Sequence, residues 1–240
     1  MRRFFGNVNF EDKHVSFSDE TLKHIRVVRL QMGETFEVVS QGKVFVCLVS
    51  NIYPFEAKVV KQKSDADSRE LDFDLILLCP LLKRNNFELV LQKSVELGVK
   101  EIYPYISSRV IKRIDNREFL SKKERFDKII KSASEQSNRT IIPILHSLFS
   151  LDSACELQAD YKFIAYENEA MKNNLLPKVN IISGQKVICL IGPEGGFDSR
   201  EVEMFTAHDF VPVSLGKRIL RAETAALYML SVIGYLGEKK

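Results

Sequence analysis

No stretch of this chain reads GxxxxGK[ST] or GxGxxG. Neither a phosphate-cradling Walker loop nor a Rossmann dinucleotide turn is therefore available, and a nucleotide-hydrolysing α/β protein is set aside for want of its phosphate loop. Long apolar runs are missing too: residues 75–82 form one of the longest, far short of the roughly 20 residues a membrane-spanning helix needs. The first residues carry no apolar h-region, so a cytoplasmic protein is expected. Cys47, Cys79, Cys155 and Cys189 form no CxxC pair and no cluster with a histidine. No metal site is expected, and the cysteines read as reduced thiols packed inside.

What is present is a chain of 240 residues, 45% hydrophobic, long enough for one large domain or a small one joined to a medium one. The net charge of +3 is unevenly spread: between Leu81 and Lys131 thirteen Lys/Arg stand against seven Asp/Glu. The middle of the chain is basic and the remainder slightly acidic. Such a stretch suits a phosphate backbone, although a solvated helix face gives the same composition.

Two kinds of periodicity divide the chain. Up to about residue 63 the pattern is mostly β. Residues 8–17 mix apolar and charged side chains, Ser18 can cap a short helix, and 35–39, 44–52 and 56–61 read as strands, the first two joined at Gln41-Gly42 and the last two at Tyr53-Pro54. Residues 62–70 hold no large apolar side chain and read as a linker. From Leu71 onward strands alternate with helices: strands at 71–79, 101–106, 141–145, 161–166, 186–191 and 210–215, and helices at 86–97, 122–137, weakly 151–157, from the Asp198 cap to about 208, and 222–236. That alternation predicts an α/β fold with a mainly parallel sheet and helices on both faces. The expected domains are 1–70, a small barrel-like unit with its linker, and 71–240. The last helix is apolar almost all round and needs cover on every side, from its own domain or a second subunit.

Chemistry concentrates in two glycine-bearing turns after predicted strands: Gly192-Pro193-Glu194-Gly195-Gly196-Phe197, and Leu215-Gly216-Lys217-Arg218-Ile219-Leu220-Arg221-Ala222-Glu223-Thr224-Ala225. Strand carboxyl ends are where open α/β sheets bind ligands, and glycine lets a ligand approach the peptide amides. Glu194 would repel a triphosphate, so a neutral or cationic ligand fits better.

Together these two stretches resemble the hallmark of the RsmE family of small-subunit ribosomal RNA methyltransferases, in the SPOUT class. The resemblance spans the chain through His24, Arg29, Gly33, Lys83, the run 93–99, Arg109, Glu135-Gln136, Arg139 and Pro143. Val28, Glu34 and Val110 depart from the family pattern. The resemblance implies an N-terminal PUA-like β-barrel, a C-terminal SPOUT domain tied in a deep trefoil knot, S-adenosyl-L-methionine as cofactor, a homodimer, and methylation of N3 of a uridine in 16S ribosomal RNA. A catalytically silent RNA-binding assembly factor of the same fold is the alternative.

By the same resemblance Leu190, Ile191, Gly192 and Gly196 line one wall of the cofactor pocket, and Leu215, Gly216, Ile219 and Leu220 the other. Arg221 is expected to stabilise negative charge on the uracil, with Glu194 and Glu223 as the carboxylates able to take its proton. Glu223 can equally complement the positive end of the last helix. Arg2, Arg3, Arg29, Lys83, Lys93, Arg109 and Arg139 are the expected RNA contacts. The roles of His24, Glu135 and Gln136 stay open.

Overall fold

The computed structural model describes residues 1–64, 68–83, 85–106, 116–167 and 179–238. They form two compact units, one of Met1–Glu70 with Ser134–Ile141, the other of Leu71–Ala133 with Ile142–Lys240.

The first unit holds a six-stranded sheet in the order β1 (Arg3–Phe5), β4 (Thr35–Ser40), β5 (Lys43–Asn51), β6 (Glu56–Gln62), β3 (His14–Ser16), β2 (Asn7–Asn9), with helix α1 (Asp19–Val28). β1 pairs with β4 in parallel and the other pairings are antiparallel. No bridge joins β1 to β2 among the described residues. Gln41 and Gly42 both take positive φ, 50° and 74°, the geometry of a two-residue hairpin turn whose twist matches the flanking strands. Ser18 caps α1 by accepting from the Thr21 amide at 3.2 Å. Phe4, Phe36, Phe45, Ile25 and Val38 fill the core. Residues 7–9 and 14–16, almost all within the stretch 8–17 read only as mixed, pair as short strands.

Charged groups also sit inside this unit. Arg3, 6% exposed, donates from Nε and Nη2 to Glu37 Oε2 at 2.9 and 2.7 Å, and Lys63 Nζ lies 2.7 Å from Glu37 Oε1. Burial pushes the Glu37 carboxyl up, but Lys63 and Arg3 together outweigh it and hold it below the usual carboxylate range. Residues 134–141 are bound by the same means. Arg3 donates to the carbonyl of Asn138, and Arg139, 2% exposed, donates from Nη2 to Glu70 Oε2 at 2.6 Å. Glu70 Oε1 accepts from the Thr140 amide at 2.7 Å. Glu70, in the stretch read as linker, is thus an organising residue.

The second unit is built on a sheet in the order β12 (Phe210–Val213), β10 (Tyr161–Ala165), β11 (Lys186–Ile191), β7 (Asp74–Pro80), β8 (Glu101–Tyr105), β9 (Ile144–Leu145), every pairing parallel. Its strands are continuous apolar runs because both faces are covered. Leu75, Leu77 and Cys79 pack with α2 (Asn86–Glu96), α3 (Asn116–Gln136) and α5 (Ala222–Glu238), while Ile76 and Leu78 face the opposite cluster with Phe205 of α4 (Ser199–Thr206). The Asp198–Glu201 capping box forms in both directions at the start of α4. The weak helix at 151–157 is a 3₁₀ turn, Asp152–Glu156, and the strand expected at 141–145 reduces to Ile144–Leu145.

Candidate functional site

Strand order decides where the site forms. β10 and β11 are neighbours, and β12 pairs on the far side of β10, so the carboxyl ends of three adjacent parallel strands open onto one place. A cavity of about 850 Å3 lies there. Ala165, Tyr166 and Glu167 enter it from the end of β10, residues 191–197 from the end of β11, residues 214–216 with 218–221 from the connection between β12 and α5, and Ala222 and Glu223 from the start of α5. Lys83 reaches it from the segment before α2, and Asn86 from the first residue of α2.

Local chemistry shapes each wall. After β11 the chain turns back at once, with the Gly196 amide donating to the Pro193 carbonyl at 2.8 Å and Gly196 at φ 69°. Gly192 packs closely: a Cβ there would stand 3.1 Å from the Phe197 ring, which would have to give by a few tenths of an ångström. Gly216, at φ 113°, lies in the region only glycine enters freely, and Ser214 Oγ brackets it by donating to its carbonyl at 3.3 Å and accepting from its amide at 3.4 Å. α5 begins at Ala222, with the Ala225 amide donating to the Arg221 carbonyl at 2.8 Å.

The charged groups at the cavity are of two kinds. Glu194 and Lys83 are both half-exposed and lie 3.2 Å apart, the sort of open pair that contributes about 0–1 kcal/mol. Glu223, in the first turn of α5 and partly buried, accepts from Asn86 Nδ2 at 3.1 Å. Arg221 is exposed at the mouth, and among the described residues its side chain makes no hydrogen bond. The wall therefore offers main chain and apolar side chains, with carboxylates and guanidinium groups at the rim.

Of the eight residues expected at the cofactor pocket, Ile191, Gly192, Gly196, Leu215, Gly216, Ile219 and Leu220 line the cavity. Leu190 is a correction. It is fully buried in the cluster on the other sheet face, because successive strand residues point to opposite sides and its neighbour Ile191 takes the α5 side. The three expected catalytic residues, Arg221, Glu194 and Glu223, all line the cavity.

The expected RNA contacts divide by burial. Arg2 and Arg29 are exposed, Arg2 donating from Nη1 to the Val28 carbonyl and Arg29 ending α1 at φ 53°. Lys83 is half-exposed, and Lys93 is bridged to both Glu96 oxygens at 2.8 and 2.9 Å. Arg3 and Arg139 are corrections: both are buried with their guanidinium groups spent on Glu37, Glu70 and main-chain carbonyls, which makes them structural. Arg109 lies outside the described residues. Two open questions resolve alongside. His24 Nδ1 is 3.1 Å from Glu135 Oε2, its ring set edge-on to Phe4, and Glu135 Oε1 accepts from the Phe5 amide, so His24 and Glu135 brace the first unit. Gln136 is exposed.

Sequence reasoning missed Tyr166, Glu167, Asn86 and Arg218. Tyr166 and Glu167 follow a strand that sequence reading does find, but only the strand order puts that end beside the glycine turns. Arg218 sits inside the second motif and was legible by proximity to Arg221.

Comparison with known proteins agrees with this geometry. Residues 69–234 match the model of a family described as an RNA methyltransferase domain. The chain is 34% identical over 233 residues to ribosomal RNA small subunit methyltransferase E of Mesomycoplasma hyopneumoniae, covering 96% of this chain and 98% of that one. It is 31% identical to the protein of the same name from Bacillus subtilis, over 93% and 90% of the two chains. In structure it superposes, with a TM-score of 0.85, 29% identity and 98% coverage of both chains, on ribosomal RNA small subunit methyltransferase E of Neisseria gonorrhoeae bound to S-adenosyl methionine.

Proposed function

The chain belongs to the ribosomal RNA small subunit methyltransferase E family, and from that premise we propose that it uses S-adenosyl-L-methionine to methylate N3 of a uridine in 16S ribosomal RNA. The observation that carries the proposal is the cavity where the two motif turns meet at three parallel strand ends. Its 850 Å3 lies within the roughly 300–1,000 Å3 of small-molecule sites. The donor set fits as well. Ile191, Leu215 and Leu220 offer apolar surface for a flat ring, Gly192 and Gly216 expose main chain, and Glu167, Glu194 and Glu223 suit a ligand that carries positive charge.

S-adenosyl-L-methionine, when bound, supplies a methyl group already activated on a sulfonium, so the protein has to align the acceptor and manage one proton. Uridine N3 is a poor nucleophile while protonated, and losing the proton places negative charge on the flanking carbonyl oxygens. Arg221, exposed at the mouth, is the group proposed to stabilise that charge. Glu194, beside Lys83, and Glu223, beside the Asn86 amide, are the two carboxylates proposed to take the proton.

The remaining partners follow from the same reading. Arg2, Arg29, Lys83 and Lys93 are proposed phosphate contacts, acting in the cytoplasm on rRNA or the small subunit. The PUA-like barrel and the knotted path of the C-terminal segments belong to this proposal through the family resemblance. So does the homodimer. An apolar groove of about 550 Å3 on α2 and α5, lined by Leu89, Leu227, Tyr228, Val232 and Tyr235, supports a second copy covering α5, and sedimentation at micromolar concentration should show about twice 27.5 kDa.

Two measurements test the function. Calorimetric titration with S-adenosyl-L-methionine and S-adenosyl-L-homocysteine should give saturable heat, and none at millimolar ligand would leave an RNA-binding protein without a cofactor. Mass spectrometry of 16S rRNA from a strain lacking the gene should miss one uridine methyl group that returns on complementation; an unchanged methylation pattern sinks the assignment.

A further inference from the structure

Tyr105 is fully buried, and its hydroxyl donates to the carbonyl of Ile191, the last residue of β11 and a wall residue of the cavity. The reason that carbonyl needs a donor lies in the ladder beside it. β11 pairs with β7 in parallel, Leu190 opposite Leu78. At the start of the ladder the Asp74 amide donates to the Gln185 carbonyl, so the odd-numbered residues of β11 turn their carbonyls toward β7. Extending that register, the Ile191 carbonyl should accept from the amide of residue 80. Residue 80 is Pro80, the end of β7, and proline has no N–H. The last carbonyl before the glycine turn would be left orphaned at the pocket wall.

We propose that Tyr105 is a positioning residue for the pocket: its hydroxyl replaces the ladder donor that Pro80 lacks and fixes the end of β11, from which the 192–196 turn departs. Burial pushes the phenol well above its ordinary range, so it is a donor at neutral pH. Tyr105 itself does not line the cavity and touches no ligand; it acts through the Ile191 peptide. The proposal rests on the cavity being the cofactor site.

The test is a rescue. Tyr105→Phe removes one oxygen and keeps the packing; losing one net hydrogen bond at the wall should weaken S-adenosyl-L-methionine binding about three- to tenfold, with kcat at saturating cofactor unchanged. Pro80→Ala restores an amide at the position the register calls for. Combined with Tyr105→Phe it should recover most of the lost affinity, and alone it should leave affinity near that of the unaltered protein. A hydroxyl that matters only for general stability would show no such recovery. The carbonyl carbon of Ile191, labelled with 13C, should shift in Tyr105→Phe and move back in the double variant. Equal affinity and an unmoved Ile191 carbonyl in Tyr105→Phe overturn the proposal, as does weakened binding that Pro80→Ala fails to restore. Absence of binding by the unaltered protein overturns the cofactor reading instead, while the carbonyl shift still reports on the hydrogen-bond exchange.

Discussion

Arginine and glutamate do opposite work in the two units. In the first, Arg3 and Glu37 are both about 95% buried, held with Lys63 at 2.7 Å, and neither has a free face. In the second, Arg221, Glu194 and Glu223 stand around a cavity, one with no side-chain partner among the described residues, one beside a half-exposed lysine and one on a neutral amide. A buried charge is satisfied on all sides and becomes structure, because leaving it unpaired in a low dielectric is costly. A charge at a cavity rim keeps capacity for a ligand. Position in the fold, rather than residue type, separates the two.

The sharpest way to break this contrast is Arg3→Ala. It leaves the buried Glu37 carboxylate with Lys63 alone, and urea unfolding should show a loss of about 3 kcal/mol, the low end for breaking a buried pair. A loss under 1 kcal/mol would mean that water reaches Glu37 and the pair is not structural. Arg221→Ala should do the reverse, lowering kcat about a hundredfold, or about 2.7 kcal/mol, while calorimetry finds cofactor affinity and urea unfolding finds stability near those of the unaltered protein. Full activity in that variant would remove Arg221 from the chemistry.

Acid sharpens the comparison next. Because the Glu37 carboxyl is held below its usual range, its contribution is fully present above the unfolded value of about 4.3 and is lost as pH falls through the folded one. Stability should therefore decline on acidification below about pH 4.3, less steeply in Glu37→Gln. Parallel slopes for the two proteins would contradict the linkage. The smallest effect is expected at Lys83→Ala. Its open pair with Glu194 should change stability by under about 1 kcal/mol, a difference that 0.5 M salt erases.

Leu190 and Ile191 show how far the sequence could be followed. Both stand in one apolar run, and nothing in the string distinguishes them, since a strand buried on both faces has lost the polar alternation that would assign its sides. One packs beneath the sheet and the other lines the pocket. The turns were more legible. Gln41-Gly42, Gly196, Gly216 and the Asp198 cap each follow from local backbone chemistry, needing no knowledge of distant parts of the chain. Arg3 was the opposite case, its carboxylate partner 34 positions away and the carbonyl of Asn138 135 positions away.

By itself, then, the sequence determined what depends on neighbours along the chain: the alternation of strands and helices, the glycine turns, the helix caps and the motifs that carry the family. Only the tertiary structure decided which strand ends meet, that Tyr166 and Glu167 join the two motif turns, that Tyr105 stands in for an amide proline cannot offer, and that two of the expected RNA-binding arginines are internal struts. The reason is physical. Backbone turns are fixed by local sterics, whereas strand order and the burial of a charge are fixed by packing among residues tens to hundreds of positions apart.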